Sequence, residues 1–298
     1  MFRALPSVVR GCLFFVLIFF NTVFWAMPLF ALALLKLIVP IPAWRRGLDP
    51  ALMWAAQCWV GVNNAILTSI QRTEWVIEGV ENLERHSWYL VSSNHQSWAD
   101  VLALQRAFHQ RIPFLKFFVK RELIWVPILG LAWWALDMPF MKRYSKEFLA
   151  RHPELVGKDL ESTREACRRF RNTPTTILNF LEGTRFSKEK HGRQRSPYRH
   201  LLRPRAGGIA FVLDAMGDSL RSMLDVTVIY TGRSTRFWDF VCGRVTRVVV
   251  HVRELPIPEE LLGGDYLNDP QFRERFQEWV GDLWAVKDRR IREIQAGG

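Results

Sequence analysis

Cysteine is scarce in this chain: its 298 residues hold four, Cys12, Cys58, Cys167 and Cys242, far apart and in no metal-ligand spacing. That argues against a zinc cluster, a paired redox thiol motif and a disulfide framework. Zinc-finger spacing, a P-loop and an RNA-binding aromatic motif are also missing. The basic balance, 41 Lys plus Arg against 29 Asp plus Glu for a net +12, therefore does not read as nucleic-acid binding. It suits phosphorylated metabolites or anionic lipid. Low complexity is lacking too: 49% of residues are hydrophobic and 23% charged, which excludes wholesale disorder and leaves enough chain for a sizeable core.

Charge is absent from Gly11 to Leu35, a run of nearly unbroken apolar residues (GCLFFVLIFFNTVFWAMPLFALALL). As a helix it would extend about 37 Å, more than a bilayer core of about 30 Å. It is too long for a cleaved signal peptide. Arg3 and Arg10 precede it and Lys36, Arg45 and Arg46 follow, so flanking charge gives little orientation. The polar pair Asn21-Thr22 and Pro28 interrupt the run, leaving open a single span or a bent, re-entrant helix pair. The next stretch, Ala51 to Ile70, lacks charge but carries Gln57, Asn63 and Asn64, and reads as an interfacial or core-packed helix. Residues 1–70 are thus expected to form membrane-anchoring or interfacial helices, and 71–298 a soluble domain.

After residue 70 the pattern becomes α/β. Strands are predicted near Trp75, over Trp88 to Asn94, Thr175 to Leu181, Leu224 to Tyr230 and Thr246 to Val252. Helices are predicted over Asp100 to Phe108, Lys158 to Phe170, Ala206 to Met216 and Gln271 to Ile294, the last charged and expected to be peripheral. The alternation predicts a single mixed or mostly parallel sheet flanked by helices. The Trp-rich stretch from Phe114 to Phe140, with Lys116, Lys120, Arg121, Lys142 and Arg143 at its borders, reads either as core or as a surface resting on lipid.

Two strand exits carry the candidate chemistry. The first ends in Asn94-His95-Gln96-Ser97-Trp98-Ala99-Asp100. A bend there would bring the Asp100 carboxylate to the His95 imidazole, fixing its tautomer and leaving the other nitrogen as a base. The bland alternative is a loop or helix cap. The second ends in Glu182-Gly183-Thr184-Arg185, which can form a phosphate-binding corner or an ordinary turn. Beyond it, seven Lys or Arg from Lys188 to Arg205 face only Glu189, as a solvated loop or as a surface for phosphate or anionic lipid.

Together these residues resemble the glycerolipid acyltransferase family of 1-acylglycerol-3-phosphate (lysophosphatidic acid) acyltransferases. NHQSWAD matches its His-x4-Asp signature, PFMKR its second block with Arg143 as the arginine, and EGTR its third. In the fourth, Thr227 of Asp225-Val226-Thr227-Val228, or its neighbour, stands where the family usually has proline. The stretch KRELIWVPILGLAWWALDMPFMKRYS is most similar to a bacterial membrane-anchored subgroup. The resemblance implies transfer of a fatty acyl group from acyl-CoA or acyl carrier protein to the sn-2 hydroxyl of 1-acyl-glycerol-3-phosphate, giving phosphatidic acid. No cofactor or metal is expected. His95 would deprotonate the acceptor, Asp100 orient it, and Arg143, Glu182, Gly183, Thr184 and Arg185 form the acceptor phosphate site. Location at the bacterial inner membrane, with the site facing the cytosol and anionic lipids as partners, follows from the same resemblance. The competing expectations are another lysophospholipid acceptor, and a non-enzymatic protein that binds anionic lipid.

Overall fold

The structure, a computed structural model, describes residues 2–39, 41–141, 151–152, 165, 167, 170–171, 173–232 and 236–296. Its elements in chain order are α1 (Ser7–Ile38), α2 (Pro42–Ile70), β1 (Glu74–Glu78), β2 (Tyr89–Ser93), α3 (Ala99–Phe108), β3 (Leu115–Phe117), β4 (Val119–Lys120), α4 (Leu129–Ala135), β5 (Phe140–Met141) and β6 (Thr176–Phe180). Then come α5 (Lys188–Gln194), α6 (Gly207–Met216), β7 (Ser222–Gly232), α7 (Phe237–Val241), β8 (Val245–Leu255) and α8 (Pro270–Ala296). The helix predicted over Lys158 to Phe170 lies largely outside the described residues, and Arg143 lies outside them.

The chain divides into two compact units. One comprises Met1–Arg72, Lys116–Val156 and Trp238–Arg244; the other comprises Thr73–Leu115, Gly157–Phe237 and Val245–Gly298.

In the first unit α1 is one continuous helix that runs through Pro28. Its polar interruption has partners on α2. Asn21 Nδ2 donates to Asn63 Oδ1 (2.8 Å) and to the Trp59 carbonyl (3.1 Å), while Thr22 Oγ1 accepts from Trp59 Nε1 (3.2 Å). Polar groups that would be costly in an apolar environment thus satisfy one another between two helices. At the far end Lys36 bridges Asp49 at 2.8 Å and Asp137 at 2.9 Å. α1 buries one stripe, including Phe14, Ala26, Leu29 and Ala33, and leaves Phe19, Phe20, Phe24 and Met27 exposed. It is long and apolar enough to cross a membrane. The Trp-rich stretch becomes a one-turn 3-10 helix and α4, with Trp125, Leu131 and Trp134 exposed.

The second unit holds the main sheet strands, ordered β1-β8-β7-β2-β6. β1 runs parallel to β8, and β2 runs parallel to both β6 and β7; β7 and β8 are antiparallel. β2 (YLVSS) is buried along its whole length, as a central strand of a parallel sheet must be. Thr227, which retains the backbone N–H a proline would lack, sits inside an eleven-residue β7 opposite His251. The charged helix α8 buries Trp284 and Lys287 fully. Trp284 Nε1 donates to the Leu202 carbonyl at 3.0 Å, and Lys287 pairs with Asp225 of β7 at 2.7 Å.

Candidate active site

Sheet register brings the two strand exits together. β2 and β6 are parallel with Ser93 opposite Phe180, so His95 and Glu182, each two residues further on, emerge side by side. The His95 N–H donates to Glu182 Oε1 at 2.8 Å, and the Phe186 N–H donates to the His95 carbonyl at 2.7 Å. The peptide around His95 is therefore held on both sides by the second exit.

On the other flank, Ser93 lies opposite Val226 of β7. Main-chain pairing ends there, but the Asn94 side chain continues the ladder. Its Oδ1 accepts from the Val228 N–H at 2.8 Å and its Nδ2 donates to the Val228 carbonyl at 2.9 Å. The carboxamide stands in for the next backbone amide of β2, which frees the main chain to turn and present His95. Asn94 is completely buried, so neither of its polar ends has water as an alternative.

His95 and Asp100 meet as expected. The imidazole Nδ1 lies 2.7 Å from Asp100 Oδ2. The same oxygen accepts from the N–H of Gln96 (2.7 Å) and of Ser97 (2.9 Å), and Oδ1 accepts from the Tyr230 hydroxyl at 2.7 Å. Asp100 is fully buried, whereas the His95 side chain retains 18% of its exposure. With Nδ1 donating to the carboxylate, Nε2 is the basic nitrogen. The ring is clamped face to face on Phe180, centroids 4.1 Å apart. Asp100 thus both closes the loop ahead of α3 and contacts the imidazole, while the N-cap position, Trp98, makes no side-chain cap.

Glu182 stands behind the site. It is fully buried, and its oxygens accept from the N–H groups of His95 and of Leu202, the latter at 2.9 Å. Burial pushes its carboxyl up to about 7, against the opposing pull of those two N–H donors. Both of its oxygens are engaged by backbone N–H groups, so it ties the His95 turn to the chain at Leu202. Gly183 takes φ +65°, and a Cβ there would lie 3.1 Å from Arg205 Cδ. Glycine favours the left-handed turn, where a side chain would be strained and Arg205 would have to give way slightly. Thr184 Oγ1 accepts from Lys190 Nζ at 2.8 Å, and the same ammonium donates to the Arg185 carbonyl at 3.0 Å. The Arg185 guanidinium lies 4.4 Å above the Trp98 ring, which is itself in the His95 loop. Three cations, Arg185, Lys190 and Arg205, therefore surround the EGTR turn. Among the described residues, no group of three or more His, Cys, Asp or Glu could hold a metal ion.

Sequence reasoning missed Tyr230, Asn94 as a ladder surrogate, Lys190, and a buried ionic cluster on β7. In that cluster Asp225 takes Lys287 Nζ at 2.7 Å and Arg253 Nη2 at 2.5 Å. Asn94 and Lys190 adjoin recognised motifs in sequence; Tyr230 and Lys287 give no local signal at all.

The sheet is mostly parallel, with a His-Asp pair at one strand exit and a cation-rimmed turn at its neighbour. The crystal structure of the 1-acyl-sn-glycerophosphate acyltransferase PlsC from Thermotoga maritima shares this fold, with a TM-score of 0.57 and 17% identity over 97% of this chain and 98% of that one. Mouse 1-acyl-sn-glycerol-3-phosphate acyltransferase epsilon is 22% identical over 224 residues, 68% of this chain and 56% of its own. The mouse gamma form is 26% identical over 184 residues, 58% of this chain and 44% of its own. The chain spans about half the length of these curated relatives. The acyltransferase family model matches residues 74–231, from β1 to nearly the end of β7, and the chain belongs to that family.

Proposed function

We propose that the protein is a glycerolipid acyltransferase that moves a fatty acyl group from an acyl thioester, acyl-CoA or acyl carrier protein, to the sn-2 hydroxyl of 1-acyl-glycerol-3-phosphate, giving phosphatidic acid. The observation that carries this reading is the 2.7 Å contact between His95 Nδ1 and a fully buried Asp100, which leaves Nε2 as the base. Nε2 takes the acceptor hydroxyl proton as that oxygen attacks the thioester carbonyl. The C–O bond forms, the tetrahedral intermediate collapses with cleavage of the C–S bond, and the imidazolium returns its proton to the leaving thiolate. Asp100 holds the ring and offsets the charge of the imidazolium without itself being protonated. The acceptor brings its own hydroxyl, so no acyl-enzyme is required.

Arg185 binds the acceptor phosphate, with Lys190 and Arg205 adding positive charge around the Gly183 turn. Arg143 takes part on the strength of the sequence resemblance alone. Residues 1–70 anchor the enzyme to a bacterial inner membrane with the site on the cytosolic side, where both thioester donors occur. The exposed aromatic face of α1 supports attachment to lipid.

The test is acyl transfer by the purified full chain in detergent or liposomes, using lysophosphatidic acid and a panel of other lysolipids. Acyl-CoA and acyl carrier protein donors are compared, and His95→Ala is assayed alongside. Conversion of lysophosphatidic acid that disappears in His95→Ala, while co-sedimentation with vesicles persists, is the expected result. Transfer retained by His95→Ala overturns the general base, and transfer to a different lysolipid alone overturns the acceptor assignment.

A further inference from the structure

Asp100 is held from both sides. One oxygen serves His95 and two backbone N–H groups; the other accepts from the hydroxyl of Tyr230, which lies 130 residues further along the chain on β7. Tyr230 is 6% exposed and Asp100 not at all, so water does not compete for this bond. The same strand grips Asn94 through the backbone of Val228, two residues earlier. β7 therefore touches the catalytic loop at its start, through Asn94, and at its end, through Asp100.

We infer that Tyr230 is a positioning residue for the reaction, fixing the Asp100 carboxylate in the plane that serves His95 and limiting how strongly that carboxylate favours the imidazolium. The inference rests on His95 acting as the base. A carboxylate that already accepts a hydrogen bond on its far oxygen concentrates less charge on the near one. Without the phenol, Asp100 would be held through Oδ2 alone, and its less neutralised charge would stabilise the protonated imidazole more strongly. Burial and the adjacent Asp100 charge raise the Tyr230 phenol well above its ordinary value, so it stays a donor wherever the enzyme works. Among the described residues, the charged or titratable groups that face the dyad include Glu182, Arg185 and Lys190 after β6, and Lys287 of α8 acts on Glu182 from further off. None of these is altered by removing the Tyr230 hydroxyl.

The experiment measures kcat and KM against pH for the purified full chain, with lysophosphatidic acid and an acyl-CoA. Tyr230→Phe is expected to lower kcat about tenfold while KM for the acceptor stays within about twofold. The acid limb of the kcat profile should move to higher pH by about half to one unit, because the base is more readily protonated. Site-specific 3-fluorotyrosine at position 230 keeps the shape and strengthens the donor, so its acid limb should move to lower pH. If Tyr230→Phe does not fold, the fluorotyrosine protein decides alone. An acid limb that stays in place in the folded variants, whatever happens to kcat, overturns the inference and leaves Tyr230 a purely structural residue. His95→Ala separates the two layers: activity surviving it defeats the general-base reading, whereas its loss beside an unmoved limb defeats only the Tyr230 assignment.

Discussion

Replacing Glu182 with glutamine exchanges one oxygen for an amino group in a side chain with no exposure. The carboxylate accepts from the His95 N–H at 2.8 Å and the Leu202 N–H at 2.9 Å. A carboxamide can accept only one of these and turns its own N–H toward the other, a mismatch costing about 1–3 kcal/mol. The pH dependence adds a signature specific to this residue. Burial raises the Glu182 carboxyl from an ordinary 4.5 to about 7. Between those values the folded chain holds a proton that the unfolded chain has released. The stabilisation from that proton is complete below about pH 4.5 and is lost as pH rises through about 7, a change of about 3 kcal/mol. Glutamine does not titrate, so the stability advantage of wild type over Glu182→Gln should shrink by about 3 kcal/mol from pH 4.5 to pH 8. Urea unfolding followed by tryptophan fluorescence, in one detergent at several pH values, measures this difference while other titrating groups cancel. Parallel stability curves for the two proteins would refute the claim that Glu182 titrates near neutrality.

Asn94→Ala removes both bonds to Val228 and leaves a buried N–H and C=O unpaired, so a loss of about 2–4 kcal/mol in the same unfolding assay is expected, together with loss of acyl transfer. A cost below about 1 kcal/mol would mean that the carboxamide does not extend the ladder. Gly183→Ala places a Cβ 3.1 Å from Arg205 Cδ at φ +65°, and should cost about 1–2 kcal/mol with a raised acceptor KM. Unchanged stability and KM would show that the turn tolerates a side chain.

Much of the site was legible from chain-local pattern. The strand–polar–helix sequence at Tyr89 to Phe108 located the His95 turn, and the five-residue separation of His95 and Asp100 was enough to propose their contact, which the structure contains at 2.7 Å. The apolar run of α1 needed only the absence of charge. Partners elsewhere in the chain were not legible. Asn21 and Thr22 interrupt the apolar run, and their partners are Asn63 and Trp59 of α2. α8 reads as a charged helix, and its Lys287 is buried against Asp225.

The sequence by itself determined which segments become strands and helices, where polar residues leave the ends of strands, and which residue types stand there, because periodicity and turn chemistry act over a few neighbours. Only the tertiary structure decided what those residues do. Parallel register with Ser93 opposite Phe180 sets Glu182 beside His95, where its carboxylate anchors the His95 backbone N–H. Register with Ser93 opposite Val226 gives Asn94 its rung, and β7's place beside β2 lets Tyr230 reach Asp100. Strand order joins residues more than a hundred positions apart, and no local pattern encodes such a partner. The dyad is therefore written in one short motif, while the frame that orients it is assembled from β6 and β7.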